Sequence, residues 1–484
     1  MRLSNIIQSV LTITTLSNFV AAENSTNNNT PPIKVSGNAF YNSDTNERFY
    51  IRGVDYQPGG SSNLTDPLAD VEICSRDVPV FKDLGINTVR VYTVDNSLDH
   101  SECMKLLSDA GIYLILDVNT PTSAISRINP SCSYNADYLQ NVFATIDTFS
   151  NYDNVLGFFA GNEVINSDNT TNTATYVKAV VRDMKKYIKA RNYRTIPVGY
   201  SAADIVANRQ TSAEYFNCGD DADARIDMFG VNDYSWCGPS SFTVSGYATK
   251  MQLYKNYSVP IFLSEFGCNK VVSNRPFTEI EAIYSTQMSS VFSGGLVYEY
   301  SNETNNYGLV KINEDGTNVT KLTDYENLKS EYAKVSNPEG DGGAYSGNDY
   351  STCPDYVKGT WEANNTLPEM PSAASAYFKS GAGEPMGTYI STQNSCHEDD
   401  DDDIASLSSI LSSSTTSEAT SSVESSSTAV NSTTSSISTT MSSSAVSSSS
   451  RSSTSKSKHS KGVANSLDIP PIFQLLSQVF GYLL

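Results

Sequence analysis

Two glutamates close short apolar runs: Glu163 in Phe158-Phe159-Ala160-Gly161-Asn162-Glu163-Val164, and Glu265 in Ile261-Phe262-Leu263-Ser264-Glu265-Phe266-Gly267. A carboxylate at the end of a buried strand is costly unless it is paired or used, because burial disfavours its charged form. Two such groups flanking a glycosidic bond are what sugar cleavage through an oxocarbenium-like transition state requires, one as acid/base and one as nucleophile. Other chemistries are poorly provided for. Only three histidines occur, His100, His397 and His459, so neither a histidine-based metal site nor Ser-His-Asp catalysis is expected. No cofactor and no metal are implied.

The elements that must position this pair follow from hydrophobic periodicity. Apolar, β-branched runs fall at 49–56, 87–92, 113–118, 155–162, 195–200, 228–232, 261–265 and 296–300. Helical spacing recurs at 78–84, 101–110, 138–149, 175–190 and 278–292. Eight such alternations predict an α/β fold, a (β/α)8 TIM-type barrel whose active site gathers at the C-terminal ends of the strands. Glu163 then follows strand four and Glu265 ends strand seven. An open doubly wound sheet is the competing fold, but no Gly-rich phosphate loop follows a first strand, and Gly-Tyr-Ser-Ala-Ala at 199–203 lacks the G-x-S-x-G elbow.

Residues of one parity on a barrel strand point inward. Arg90 and Tyr92 share such a face on strand two, where an Arg can keep a carboxylate nucleophile ionised or, equally on spacing alone, form a structural ion pair. Asn162 is placed to bond a sugar 2-OH or simply to shape a turn. Asp117 at the end of strand three, Tyr234 after strand six and Tyr298 on strand eight also reach the mouth, where each alone is more often a satisfied polar core residue. The chain has 29 Tyr. A tyrosine offers a sugar ring a flat apolar face and a hydroxyl, so those near the strand ends suit a polysaccharide groove.

The ends of the chain describe its expected route. Residues 1–22 read as a secretory signal, with Arg2, an apolar stretch, and Val20 and Ala22 at the recognition positions. The catalytic barrel is expected over 23–330 and an extension packed on it over 331–397. An acidic run and Ser/Thr-rich stalk over 398–462 has too little apolar surface to offset its chain entropy and should be a disordered, O-glycosylated spacer. Residues 463–484 read as a GPI-anchor signal, removed on attachment at Gly462, with Asn465 the alternative residue. Such a chain is expected at the cell surface, tied to the membrane by its anchor and residing in membrane or wall. Two prolines and a short apolar tail disfavour a transmembrane helix there. Sequons at Asn24, Asn28, Asn63, Asn169, Asn256, Asn302, Asn318, Asn364 and Asn431 fit this route. A formal net charge of -21 disfavours nucleic acid as a partner and suits a neutral substrate. A monomer is expected. Eight cysteines in a secreted chain predict disulfides rather than a metal site, with the pairing left open by sequence alone.

The strings GVDYQPGG, DPLAD with CSRD, RVYTVDNSLDHSEC, NVLGFFAGNEV, RTIPVGYS, CGDD, GVNDYSWCG, FLSEFGCN and GGLVYEYSNETNNYGLV resemble the GPI-anchored β-1,3-glucanosyltransferases of fungal cell walls, family 72 of the glycoside hydrolases. The resemblance runs from about Ile33 to past Cys353. It implies a retaining barrel enzyme that cuts β-1,3-glucan internally and transfers the new reducing end to the non-reducing end of another chain. It implies Glu163 as acid/base and Glu265 as nucleophile, and places Gln57, Tyr92, Asp117, Asn162, Tyr234 and Tyr298 on segments of the family's cleft. It also implies bridges Cys74 to Cys103, Cys218 to Cys353 and Cys237 to Cys268, leaving Cys132 and Cys396 to pair with each other or stay free. The cysteine-rich carbohydrate-binding module of several relatives is missing, since the acidic run follows Cys396 almost at once. A plain endo-β-1,3-glucanase and a non-catalytic wall glucan binder are the alternatives.

Overall fold

A computed structural model describes residues 30–270, 274–388 and 390–392. The expected signal peptide, stalk, Gly462 and anchor signal lie outside the described residues, as do Cys396 and the sequons at Asn24, Asn28 and Asn431. Eight parallel strands close into a barrel: β1 (Ile51–Asp55), β2 (Thr88–Val91), β3 (Tyr113–Asp117), β4 (Val155–Asn162), β5 (Val198–Ala203), β6 (Met228–Cys237), β7 (Ile261–Cys268) and β8 (Phe292–Val297). Four of the eight, β2, β3, β7 and β8, are buried along their whole length. That follows from their continuous apolar runs, since strands covered on both faces need not alternate.

The interior is filled by Ile51, Ile115, Leu156, Phe159, Met228, Phe262 and Leu296. Ile33 and Phe40 join the same cluster from an N-terminal hairpin, Ile33–Ser36 with Ala39–Asn42, and so plug the bottom of the barrel. Phe40 meets Phe262 edge-on, ring centres 5.9 Å apart. Closing the bottom leaves the opposite rim as the open face.

Two of the long helices start where a short polar side chain satisfies free backbone N–H groups. Asp70 accepts from Glu72 and Ile73 at the start of Val71–Leu84, and Gly85 ends that helix in the left-handed conformation at φ 80°. Asn135 caps Ala136–Phe149 through the amide of Tyr138. The first of these helices begins at Val71 rather than Val78, with Pro79 inside it.

Two expectations at the end of the barrel need correction. The helical spacing at 278–292 gives only Glu279–Ile283, followed by turns. There Ser285 bonds the Ala282 carbonyl and caps the amide of Gln287, offering the backbone an alternative to the helix. Strand eight is Phe292–Val297, not 296–300. Its early half contains Gly294, at φ 91° and against the backbone of Ile51, where any side chain would clash. Gly294 and Gly295 hide the strand from a hydrophobicity reading. Helices Arg209–Phe216, Tyr247–Leu253 and Thr323–Lys334 were not evident from periodicity.

The chain after the last of these helices wraps the outside of the barrel. Trp361 is buried with its ring 5.5 Å from that of Tyr215, Arg182 donates to the Pro368 carbonyl at 2.8 Å, and Thr122 donates to that of Ile390 at 2.8 Å. Disulfides join Cys74 to Cys103, Cys218 to Cys353 and Cys237 to Cys268. Cys132 is also disulfide-bonded. Among the described residues, no helix is long and apolar enough to cross a membrane.

Candidate active site

Glu163 is the first residue beyond β4, and it leaves the strand with φ at 49°. A non-glycine residue in that region is strained and persists only where its surroundings over-determine it. Here the Glu163 amide donates to the Ser201 carbonyl at 2.8 Å, and its own carbonyl accepts from Arg127 Nη2 at 2.7 Å. The half-buried carboxylate then receives Asn232 Nδ2 on Oε1 at 2.9 Å. Asn232 is itself locked, because its Oδ1 accepts from the hydroxyls of Ser201 and Ser264. Its Nδ2 also bonds Asn162 Oδ1 at 3.1 Å.

Glu265 faces inward from β7, directly in register with Asn232 on β6. The strand continues to Cys268, so Glu265 lies within it and not at its end. One carboxylate oxygen takes the hydroxyl of Tyr92 at 2.8 Å and lies 3.3 Å from Arg90 Nη1; the other takes the hydroxyl of Tyr234 at 2.7 Å. Arg90 is fully buried and holds Asp117 with its other face, Nε and Nη2 donating at 3.0 and 2.9 Å. Burial pushes the Glu265 carboxyl up to about 7. Arg90 opposes that shift, the Glu163 charge adds to it, and the two tyrosine hydroxyls oppose it. Three donors on one carboxylate favour its ionised form.

Around Glu265 the tyrosines pack edge to face: Tyr234 against Tyr298 at 6.3 Å, Tyr92 against Tyr298 at 6.5 Å, and Tyr307 against Tyr298 at 5.4 Å. Burial raises the Tyr92 and Tyr234 hydroxyls well above the ordinary phenol range, so both remain donors. Tyr234 is within β6, and Tyr298 is the first residue past β8, small shifts from the expected positions. Tyr92, Asp117 and Asn162 line a cleft with Ser61, Asn119 and Arg127. Gln57 does not reach this cleft surface. It is buried, its Oε1 accepting the amides of Tyr92 and Thr93 at 3.2 and 3.0 Å and its Nε2 donating to the Thr65 carbonyl.

Sequence reasoning missed Asn232, Arg127 and Tyr307. Asn232 had a readable signal, since it stands two residues before Tyr234 and so shares its inward parity. Arg127 and Tyr307 come from loops, where no periodicity points inward. Among the described residues no group of acidic, His or Cys side chains could hold a metal ion.

Two carboxyl groups thus meet at one barrel mouth, one buried and bonded by Arg90 and two tyrosines, the other half-exposed and steered by Asn232, and a pair of this kind can cleave a glycosidic bond. Residues 22–336 match the glycoside hydrolase family 72 glucanosyltransferases. The chain belongs to this family. Its barrel is that of a family 72 enzyme throughout the match. The 1,3-beta-glucanosyltransferase GAS5 of Saccharomyces cerevisiae is 82% identical over 379 residues, 78% of each chain. The 1,3-beta-glucanosyltransferase PGA4 of Candida albicans is 59% identical over 355 residues, covering 73% of this chain and 78% of that one. Saccharomyces cerevisiae Gas2p in complex with laminaritriose and laminaritetraose is 44% identical, with a TM-score of 0.67 over 72% of this chain and 78% of that one. The family 72 barrel is thus shared at the level of sequence and of backbone.

Proposed function

We propose that the chain is a retaining 1,3-β-glucanosyltransferase that cleaves β-1,3-glucan internally and joins the new reducing end to the non-reducing end of a second chain, elongating wall glucan. The observation that carries this reading is the donor set on Glu265, which suits an ionised nucleophile, opposite a half-exposed Glu163 that suits an acid. The names of the relatives and the laminari-oligosaccharides bound to Gas2p support β-1,3-glucan as donor and acceptor.

Glu265 attacks the anomeric carbon as Glu163 protonates the departing glycosidic oxygen, giving a covalent glycosyl-enzyme. Glu163, now a carboxylate, takes the proton of an incoming sugar hydroxyl, which attacks the same carbon and releases Glu265. Transfer prevails over hydrolysis where the acceptor hydroxyl is held in line and water is not, an effective-concentration advantage. Asn232 orients Glu163, and Asn162 and Asp117 bond sugar hydroxyls from the cleft wall. Tyr92, Tyr234 and Tyr298 offer ring faces and edges to the sugars. Gln57 acts by fixing the backbone at Tyr92 and Thr93. Arg90 supports the nucleophile.

The same reading gives the barrel an outer address. A cleaved signal, glycans at the exposed Asn169, Asn256, Asn302, Asn318 and Asn364 and at the half-buried Asn63, and a GPI anchor at Gly462 would hold a monomeric barrel at the membrane or wall surface on its stalk.

Trapping tests the central step. A 2-deoxy-2-fluoro β-1,3-glucosyl donor slows release of the glycosyl-enzyme, and peptide mass spectrometry should find the sugar on Glu265. Labelling of another residue, or none with turnover intact, would contradict the assignment.

A further inference from the structure

Asp55 ends β1 with a carboxyl group that the reaction as described does not use. It is wholly inaccessible, and neither Oδ1 nor Oδ2 has a hydrogen-bond partner among the described residues. Its register partner is Arg90 on β2, but that guanidinium is engaged elsewhere. Nε and Nη2 serve Asp117, while Nη1 serves Glu265 and the Ser264 carbonyl. The groups that face Asp55 are Arg90, Asp117 from β3, Glu265 from β7, and Tyr92 and Tyr298 from beyond β2 and β8.

Three buried carboxyl groups therefore share one cation. Ionising all three would leave negative charge uncompensated, and a buried group in that position takes a proton instead. The least supported member is plain from the contacts. Asp117 has two guanidinium bonds and Glu265 has three donors, whereas Asp55 has none. Tyr92 decides which way the proton points. Its single O–H is given to Glu265 at 2.8 Å, so the phenol presents only lone pairs to Asp55. An ionised Asp55 would meet them acceptor to acceptor, and a carboxylic acid would donate.

We propose that Asp55 is a neutral carboxylic acid at working pH that donates its proton to Tyr92 Oη, and so acts through Tyr92 as a positioning residue for Glu265. A hydroxyl that accepts a hydrogen bond is a better donor in its turn, so the chain Asp55 to Tyr92 to Glu265 strengthens the grip on the carboxylate. Burial holds the Asp55 carboxyl well above the usual range; Arg90 and, more weakly, Tyr92 pull the other way, and Glu265 and Asp117 reinforce the rise. Carboxylic acids kept neutral by apolar surroundings serve elsewhere as hydrogen-bond donors at neutral pH. The kinetic part of this inference rests on Glu265 being the nucleophile, and the protonation state does not.

Infrared difference spectroscopy of the whole protein against Asp55→Asn reads the proton directly. The protonated-carboxyl C=O band should be present in the native chain at neutral pH and missing from the variant, which cancels bands from other neutral acids. The kcat/KM profile against pH supplies the sign. Asp55→Leu removes the donor and should move the acid limb to higher pH. Asp55→Asn keeps a neutral donor and should leave that limb in place with a lower plateau. Absence of the band, or an acid limb displaced to lower pH in both variants as loss of a negative charge requires, would overturn the proposal. The infrared result needs no turnover, so it stands even if Asp55→Leu does not fold. A sugar trapped away from Glu265 with the band intact would remove the nucleophile assignment alone.

Discussion

Tyr234 donates its hydroxyl to Glu265 Oε2 at 2.7 Å, while the other oxygen of that carboxylate accepts from Tyr92 at 2.8 Å. A hydrogen bond to a charged group contributes about 1.5–3 kcal/mol, or roughly tenfold to a hundredfold in rate if its full strength is reached only in the transition state. Tyr234→Phe should lower kcat/KM by about that much and move the acid limb of its pH profile upward, because one donor favouring the ionised form is gone. Steady-state kinetics across pH measure both. A loss of plateau with an unmoved limb would make Tyr234 a sugar contact only.

Asn232 joins the two carboxyl groups, in register with Glu265 and bonded to Glu163. Asn232→Asp replaces an amide donor with a second carboxyl beside Glu163. Like charges disfavour ionisation, so the acid should hold its proton to higher pH. The alkaline limb should move upward, with a fall in kcat from misorientation of Glu163.

Arg90 should matter to the fold as much as to the reaction. Removing one partner of a buried ion pair costs about 3–5 kcal/mol, and Arg90→Met leaves both Asp117 and Glu265 without it. Thermal unfolding should show a marked fall in Tm. Arg90→Lys should not restore the native value, since one ammonium cannot reproduce the fork that spans both carboxylates.

Buried acids set the pH dependence of stability. Burial raises Glu279 to about 7 and Glu299 to about 8, from an ordinary 4.5. A carboxyl whose folded pKa lies above its unfolded value binds more protons when folded. Stability is then greatest below the unfolded pKa and declines as pH rises from there toward the folded one. Tm should be higher near pH 5 than near pH 8, and Glu279→Gln should flatten part of that slope. A Tm that rises over this interval would contradict the assignment of these acids as neutral when buried.

The barrel was largely legible because parallel strands buried on both faces must be apolar throughout, and seven of the eight runs stand out for that reason. β8 was displaced because Gly294 and Gly295 serve close backbone approach instead of hydrophobicity. The helix expected up to Phe292 is cut short where the Ser285 hydroxyl competes for the backbone. At the site, Glu163 and Glu265 were visible as charges where apolar runs end, and Arg90 with Tyr92 by parity. Asp55 was passed over although it also ends a strand, because an isolated carboxyl without a visible partner carries no pairing signal in sequence. Arg127 and Tyr307 arrive on loops, whose course depends on tertiary packing.

The most direct test of transfer is the length of the products. The purified chain is incubated with one reduced β-1,3-linked oligosaccharide of defined size, and anion-exchange chromatography with mass spectrometry follows the products. Oligosaccharides longer than the starting material are predicted, appearing together with the shorter fragment left by each cleavage. Shorter products alone, at every substrate concentration, would contradict the account and leave a hydrolase.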